Sequence, residues 1–400
     1  MLKQLFPKYH RRYAASPFVD QLELFAQWLD DTGYGHDVAH DHVRRLRQAL
    51  ELNDEPLPSV LASVDLDRIF AAAPDGILFA ATRRAFARCL ANQGRWQADP
   101  DVRPHGQVLD AYRDYLSSVR GLSPSTGAQH VSTVTTFLEE ALPGGLAVGA
   151  LSREQIERHV VATGKRITRQ SLQHWIAHLR SFLRFCHMRG LLAVRLDAID
   201  SPRVYRDELP PRALPWAMVQ ALLQSIDRGQ STGWRDYTIL YLMAHYGLRP
   251  CEAASLRLDS IDWQAKTLRV DQRKTRSILL LPLTDPTVRV IKRYLHEGRT
   301  DSPRPELFLR ARGPSGAIKH TAVCDLYQNR AARSGLALEG TSAYCLRHSF
   351  AMRLLQRGVG IKAIGDVLGH RGLESTCVYL RLQLDALREV ALPVPQTQPQ

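Results

Sequence analysis

Tyr344-Cys345-Leu346-Arg347-His348-Ser349-Phe350, followed by Leu368-Gly369-His370 and then Val378-Tyr379, is the stretch on which the reading of this 400-residue chain turns. Upstream, Tyr246-Gly247-Leu248-Arg249-Pro250-Cys251-Glu252 sets another arginine at a helix break. Breaking a phosphodiester through a covalent intermediate takes a nucleophile, cations that stabilise the crowded anionic phosphorus, and an acid for the departing oxygen. A tyrosine can attack, but with a phenol pKa of about 10 it needs cationic neighbours to react at neutral pH. Two guanidinium groups can each fork onto non-bridging oxygens in charge-assisted pairs, and a lysine or histidine can donate to the leaving oxygen. Metal-dependent nucleases rely on clustered carboxylates, and the sequence holds no Asp/Glu cluster of that kind. The chemistry it points to uses neither a metal nor a soluble cofactor.

Bulk properties agree with a polyanionic partner. The net charge is +13 and the isoelectric point about 9.7, which favours nucleic acid. Only 8 of the 53 cations are lysine. The codon usage of a GC-rich genome accounts for most of that skew, although arginine's planar fork also suits phosphate. No run of about 18 apolar residues is present, so a membrane partner is not expected. The first eight residues lack the apolar core of a secretory signal. Cys89, Cys186, Cys251, Cys324, Cys345 and Cys377 form no C-x-x-C pair, which argues against zinc ribbons and disulfide frameworks and fits a reducing cytoplasm.

The chain reads as three segments and a tail. Residues 1–104 form a helical accessory region with no catalytic character, in which Phe18, Leu22, Leu24, Phe25, Trp28 and Leu29 and then Val43, Leu46 and Leu50 recur at helical intervals. Residues 105–198 carry four amphipathic helices. Val108, Leu109, Tyr112, Tyr115, Leu116 and Val119 stripe the first, and Ser123-Pro124 opens the second. Ser152 to Gln155 is a capping box for the third. The fourth runs from about Thr168 to Arg189, with Gly190 just past its end. Arg169, Arg180 and Arg184 load that last helix with charge, either as solvated decoration or as phosphate contacts. Prolines mark a linker over 199–215, and residues 216–392 follow as mixed, mainly helical structure. Within it, short strands at 268–270 and 278–281 flank a basic turn containing Lys274 and Arg276. Residues 393–400 are a Pro/Gln tail with no means of packing.

Taken together, these motifs resemble the tyrosine recombinase (phage integrase) family over roughly residues 105–390. The resemblance is carried by Arg120-Gly121-Leu122-Ser123-Pro124-x-Thr126, by Gly247-Leu248-Arg249 with Glu252, by Leu346-Arg347-His348, and by Leu368-Gly369-His370 followed nine positions later by Tyr379. It implies an α+β, predominantly α-helical fold. A helical SAM-like core-binding domain and a mainly helical catalytic domain with a small antiparallel sheet would close as a C-shaped clamp on double-stranded DNA. It implies that Arg249 and Arg347 clamp the scissile phosphate, and that His370 contacts it and assists the nucleophile. Lys274 would protonate the leaving 5′-hydroxyl, and Tyr379 would attack to form a 3′-phosphotyrosine. It further implies a tetramer on two duplexes, alone or with related recombinases, linked by an apolar C-terminal segment docked into a neighbour. Lys274 is preferred to Arg273 and Arg276 because, of these, lysine is the one that gives up a proton near neutral pH.

There is one departure. The family usually carries histidine, sometimes lysine, three residues before the second arginine, and this chain carries Tyr344. A phenol can donate a hydrogen bond but brings no charge, at a cost of about 1 kcal/mol in transition-state stabilisation. Read singly, Arg249 is a helix-end residue, Tyr379 an aromatic on a helix face, His370 a cap and His348 a buried hydrogen-bonding histidine that is not a reactant. Glu252 fixes the geometry of an arginine. The function expected from the combination is site-specific DNA recombination for a mobile element. The rival readings are a catalytically impaired DNA-binding or architectural protein, in which Tyr344 marks a decaying site, and a relaxing topoisomerase using the same chemistry.

Overall fold

Ser123 starts a helix because its hydroxyl accepts from the Thr126 amide (3.2 Å) while Pro124 occupies the first turn. Three residue-specific devices of this kind lay out the bundle over 106–188. Ser152 and Gln155 close a reciprocal capping box, with Ser152 N donating to Gln155 Oε1 (2.8 Å) and Gln155 N to Ser152 Oγ (3.2 Å). Thr168 caps the longest helix, Arg169–Met188. The structure, a computed structural model, describes residues 1–53, 57–71, 73, 76–97, 104–204, 212–272, 277–311, 313–370 and 372–382, and the side chains of all but the last two of these. It divides into two compact units, one of residues 55–71 and 90–208 and one of residues 1–54, 72–89 and 209–400.

In the first unit the helices Gly106–Asp114, Pro124–Ala141, Arg153–Gly164 and Arg169–Met188 bury one apolar stripe each. Tyr112, Phe137, Phe182 and Phe185 fill the centre, and the Tyr112 hydroxyl bonds the His130 ring at 3.0 Å. Val119 departs from its expected place on the first stripe and is 70% exposed. The first helix passes into a π turn over Tyr115–Val119, and the extra residue in that turn rotates the side chains after Leu116 off the buried face. Beyond Gly190 the chain folds back, and Leu192, Leu196 and Ile199 join the core.

The second unit is mainly helical and holds a three-stranded antiparallel sheet, β1 (Ile261–Asp262), β2 (Thr267–Gln272) and β3 (Ser277–Pro282), in the order β1-β2-β3. Leu268↔Leu281 and Val270↔Leu279 pair across β2 and β3, turning their apolar face to the core. The helix Gly233–Tyr246 lies in that core, with Ile239, Leu240, Leu242 and Met243 fully buried. Among the described residues between 299 and 319 there is no helix, a non-helical stretch inside a segment expected to be mainly helical. Part of it is tied to the turn before the sheet, with Leu258 N bonded to Pro305 O and Leu307 N to Leu256 O.

Residues 1–53 and 76–89, read from sequence as a separate accessory region, pack in this same unit. Their own core joins Leu22, Phe25, Leu29, Leu46 and Phe86, with His42 bonded to Thr82 Oγ1 at 2.9 Å. Contact with the 309–318 loop is close: the Ser315 amide donates to Thr32 O (2.8 Å), and Gly33, at φ 76°, has no room for a Cβ beside Ser315. Tyr34 lies against Gly313 and receives a hydrogen bond from Arg88 (2.8 Å).

A buried ion network ties two helices of this unit together. Asp236 accepts from Arg330 at 2.6 and 3.0 Å and from Arg235 at 2.8 and 3.0 Å. All three side chains are largely or fully shielded from water. Asp236→Ala leaves both guanidinium groups without their carboxylate, so it is expected to lower stability by about 3–5 kcal/mol. The check is a drop in urea midpoint, with Arg330→Met much better tolerated than Asp236→Ala.

Candidate active site

Glycine sets the frame. Gly247 ends the helix Gly233–Tyr246 in the left-handed region (φ 63°), and Gly369 ends the helix Ile361–Leu368 in the same way (φ 62°). At Gly247 a Cβ would fall 2.7 Å from Phe350 and 2.8 Å from Leu368. Beside Gly369 the Gln272 amide takes the space, at 1.9 Å from where a Cβ would be. The two turns aim the carbonyls of Gly247 and Leu368 at one point, and Arg347 meets them there. From the helix Tyr344–Gln356, its Nη1 donates to Gly247 O (2.6 Å) and its Nη2 to Leu368 O (2.7 Å).

Arg249 approaches from the neighbouring turn, where it caps the short helix Pro250–Ala254. Glu252 holds it twice. One carboxylate oxygen accepts from the Arg249 backbone amide (2.8 Å), and the other accepts from its Nη1. The first of these oxygens also lies 3.8 Å from Arg347 Nη1. Glu252, 3% exposed, therefore bridges two arginines that would otherwise repel. Burial, reinforced by Arg249, pushes the Arg347 guanidinium down to about 10, which leaves it charged at neutral pH.

Tyr379 sits in the final turn, Val378–Leu382, and belongs to a small apolar cluster with Ile364 and Leu368. It is 2% exposed. Burial raises its pKa, while Arg347 and then Arg249 pull the other way by favouring the phenolate. Its hydroxyl lies 3.0 Å from Nδ1 of His348. His370, expected to contact the phosphate, has its Nδ1 2.8 Å from Thr376 Oγ1, and its backbone amide bonds Gly365 O. Tyr344 begins the Tyr344–Gln356 helix, half exposed, and its pKa is raised chiefly by burial, with Arg249 among the groups acting on it.

Of the residues that sequence reasoning named, Glu252 joins Arg249 to Arg347, Tyr344 opens the helix of Arg347, Tyr379 shares an apolar cluster with Leu368, whose carbonyl holds Arg347, and His370 follows two residues after Leu368. Lys274 and Arg276 lie outside the described residues, as does the apolar segment after residue 382. Gln272 was missed. It ends β2, is 2% exposed and donates to Leu368 O (3.3 Å), so the base of the hairpin that carries Lys274 is fastened to the loop of His370. The sequence shows it only as a polar residue adjoining the basic turn, with nothing to mark it as buried. In the other unit, Arg169 is exposed at the start of its helix. Arg180 donates to the Ile199 carbonyl, and Arg184 lies 3.7 Å from Asp197, so both hold the returning chain. Among the described residues no three His, Cys, Asp or Glu side chains gather as a metal site, and no helix is long and apolar enough to cross a membrane.

Comparison with known proteins places this geometry. The phage integrase family model matches residues 213–385, and the phage integrase N-terminal SAM-like domain matches residues 109–190. An integrase/recombinase of Sinorhizobium fredii, y4rA, is 30% identical over 393 residues, covering 93% of each chain. The chain belongs to the phage integrase family of tyrosine recombinases. At 93% coverage, most of the integrase's first hundred residues align with that relative as well. The tyrosine recombinase XerD of Mycobacterium leprae is 28% identical over 308 residues, 70% of this chain and 94% of XerD. In fold, this integrase is similar to the Tn1549 transposon integrase in complex with circular intermediate DNA (TM-score 0.55, 15% identity, 70% and 98% of the two chains). It is also similar to a lambda integrase dimer bound to a COC′ core site (TM-score 0.53, 18% identity, 68% and 94%).

Glu252 carries the electrostatic load of the site. Glu252→Ala is expected to destabilise this unit of the integrase by about 3 kcal/mol or more, because two buried guanidinium groups lose their shared anion. Glu252→Gln keeps an acceptor oxygen and should cost less. Denaturation midpoints of the three proteins check the order.

Proposed function

We propose that this protein cuts and rejoins DNA at specific sites through a covalent 3′-phosphotyrosine formed at Tyr379, in the service of a mobile element. The observation that carries the reading is geometric: Glu252 holds Arg249 and Arg347 together, and Arg347 is anchored on the carbonyl of Leu368, whose side chain shares an apolar cluster with Tyr379. A phosphate placed between them would receive charge-assisted bonds on its non-bridging oxygens, where negative charge grows as phosphorus becomes five-coordinate. The hydrogens of each guanidinium not already bound to protein are the ones available for this. Tyr344 would add a neutral hydrogen bond where relatives carry a cation, and His370 would contact the same phosphate. Lys274 would deliver the proton to the 5′ oxygen. The fastening of Gln272 supports that role, since it ties the hairpin base to the His370 loop. Bond energy is kept in the phosphotyrosine, so strand joining needs no nucleotide cofactor.

Double-stranded DNA as partner is supported by the charge of +13 and by the neighbours' complexes, one with a core site and one with a transposon intermediate. Arg169 of the helical bundle and Arg276 of the hairpin would each contact phosphates of the duplex. Four copies would act on two duplexes, in the cytoplasm. A mobile-element role fits the likeness in fold to a transposon integrase.

The test uses nicked duplexes tiled across the DNA that flanks the gene, which trap a covalent intermediate. The native protein is expected to form an adduct, and Tyr379→Phe none, with DNA binding unchanged. Arg249→Ala and Arg347→Ala should each slow adduct formation on the order of 10²–10³-fold. An adduct that persists in Tyr379→Phe contradicts the reading. Salt-sensitive binding with no adduct from either protein would assign the architectural role instead.

A further inference from the structure

The nucleophile's proton needs somewhere to go. Tyr379 is buried, and burial keeps its phenol protonated at neutral pH despite the two arginines. The side chain that relatives place three residues before the second arginine is here a phenol, Tyr344, whose own pKa is raised, so it has no basic lone pair to offer. His370 turns its Nδ1 to Thr376. The imidazole that meets the Tyr379 hydroxyl belongs to His348, one residue past Arg347 on the same helix, with Nδ1 at 3.0 Å and the two rings inclined at 56°.

We propose that His348 is the general base of strand cleavage, accepting the Tyr379 hydroxyl proton on Nδ1 as the phenolic oxygen attacks phosphorus. This rests on the assignment of Tyr379 as nucleophile made above. In the step, the Tyr379 O–H bond breaks and its proton passes to His348 Nδ1. The bond from the tyrosine oxygen to phosphorus forms as the bond from phosphorus to the 5′ oxygen breaks, and the 5′ oxygen takes its proton from Lys274. Strand joining runs the same transfers in reverse, with imidazolium returning the proton to the tyrosine.

The surroundings suit a base that is neutral at rest. Burial lowers the His348 pKa, and Arg347, on its own helix, lowers it further. Across from it, the last turn presents Tyr379, on which Arg347 and Arg249 also act. Protonation of His348 beside Arg347 becomes favourable when the anionic phosphate sits between the arginines, so proton transfer is coupled to substrate placement. The sign follows from the lowered pKa. The imidazole is neutral and competent at neutral pH, and adduct formation falls as pH drops below the ordinary histidine value of about 6.5.

The decisive comparison sets His348→Asn beside Tyr379→Phe on the same tiled nicked duplexes. Asparagine keeps an acceptor oxygen near the Nδ1 position but cannot take a proton. Adduct formation by His348→Asn is expected to be roughly 100-fold slower at neutral pH, with unchanged DNA binding. Its rate should climb steadily on the alkaline side, where the native rate is flat, and His348→Ala should recover with added imidazole. If Tyr379→Phe forms no adduct while His348→Asn matches the native rate and pH profile, this proposal is wrong and the nucleophile assignment stands. If Tyr379→Phe still forms adduct, the nucleophile assignment itself fails. Nitrogen-15 spectra of the native protein decide the matter without any variant. The proposal requires His348 to carry its proton on Nε2 with Nδ1 bare, and a protonated Nδ1 overturns it.

Discussion

Two positive charges held side by side in the protein interior are the condition that everything else in the catalytic unit serves. Left alone, Arg249 and Arg347 would repel and would lose their hydration for nothing. Glu252 supplies the shared anion, and the carbonyls of Gly247 and Leu368 supply directed acceptors for the deeper of the two. Those carbonyls point correctly because Gly247 and Gly369 reverse the chain with positive φ at two places where any side chain would collide. A packed core stands behind them, so the pair is fixed before substrate arrives. Preorganisation of this kind is what lets cations act on developing charge at little cost in reorganisation.

The tyrosine depends on the same frame. Its ring completes a cluster built on Leu368, the residue whose carbonyl anchors Arg347. Its hydroxyl meets His348, the neighbour of that arginine on one helix turn. Gln272 binds the Leu368 carbonyl from the sheet side. Two parts of the chain distant in sequence, the Arg347 helix and the end of β2, are thereby registered to a single backbone group, and displacement of the Leu368 turn would disturb both, together with Tyr379.

Much of this could be read from residue order because the relevant forces are local. Ser123-Pro124, the Ser152–Gln155 box and Gly190 act within a turn of helix, and each does in the structure what its chemistry predicts. The Gly247 and Gly369 phrases are likewise short-range signals. What resisted reading was set by partners far away in sequence. The chain at Pro305 and Leu307 is held by Leu258 and Leu256, and the packing of the first fifty residues depends on Thr32 meeting Ser315. Val119 fell on the wrong side of its helix because a π turn changes the period, which no count of apolar residues reveals. His348 could be recognised as a buried, hydrogen-bonding histidine. That its partner is Tyr379, thirty-one residues on, is a fact of tertiary structure.

The central claim is that Arg249, Arg347 and Tyr379 converge on one phosphorus atom. The most direct measurement is a crystal structure of the full chain with a nicked duplex and orthovanadate, which adopts the five-coordinate geometry of phosphoryl transfer. The account predicts vanadium bonded to the Tyr379 oxygen, with both guanidinium groups on its equatorial oxygens and Glu252 still between them. Vanadium bound to another side chain, or either arginine turned away from it, would contradict the account.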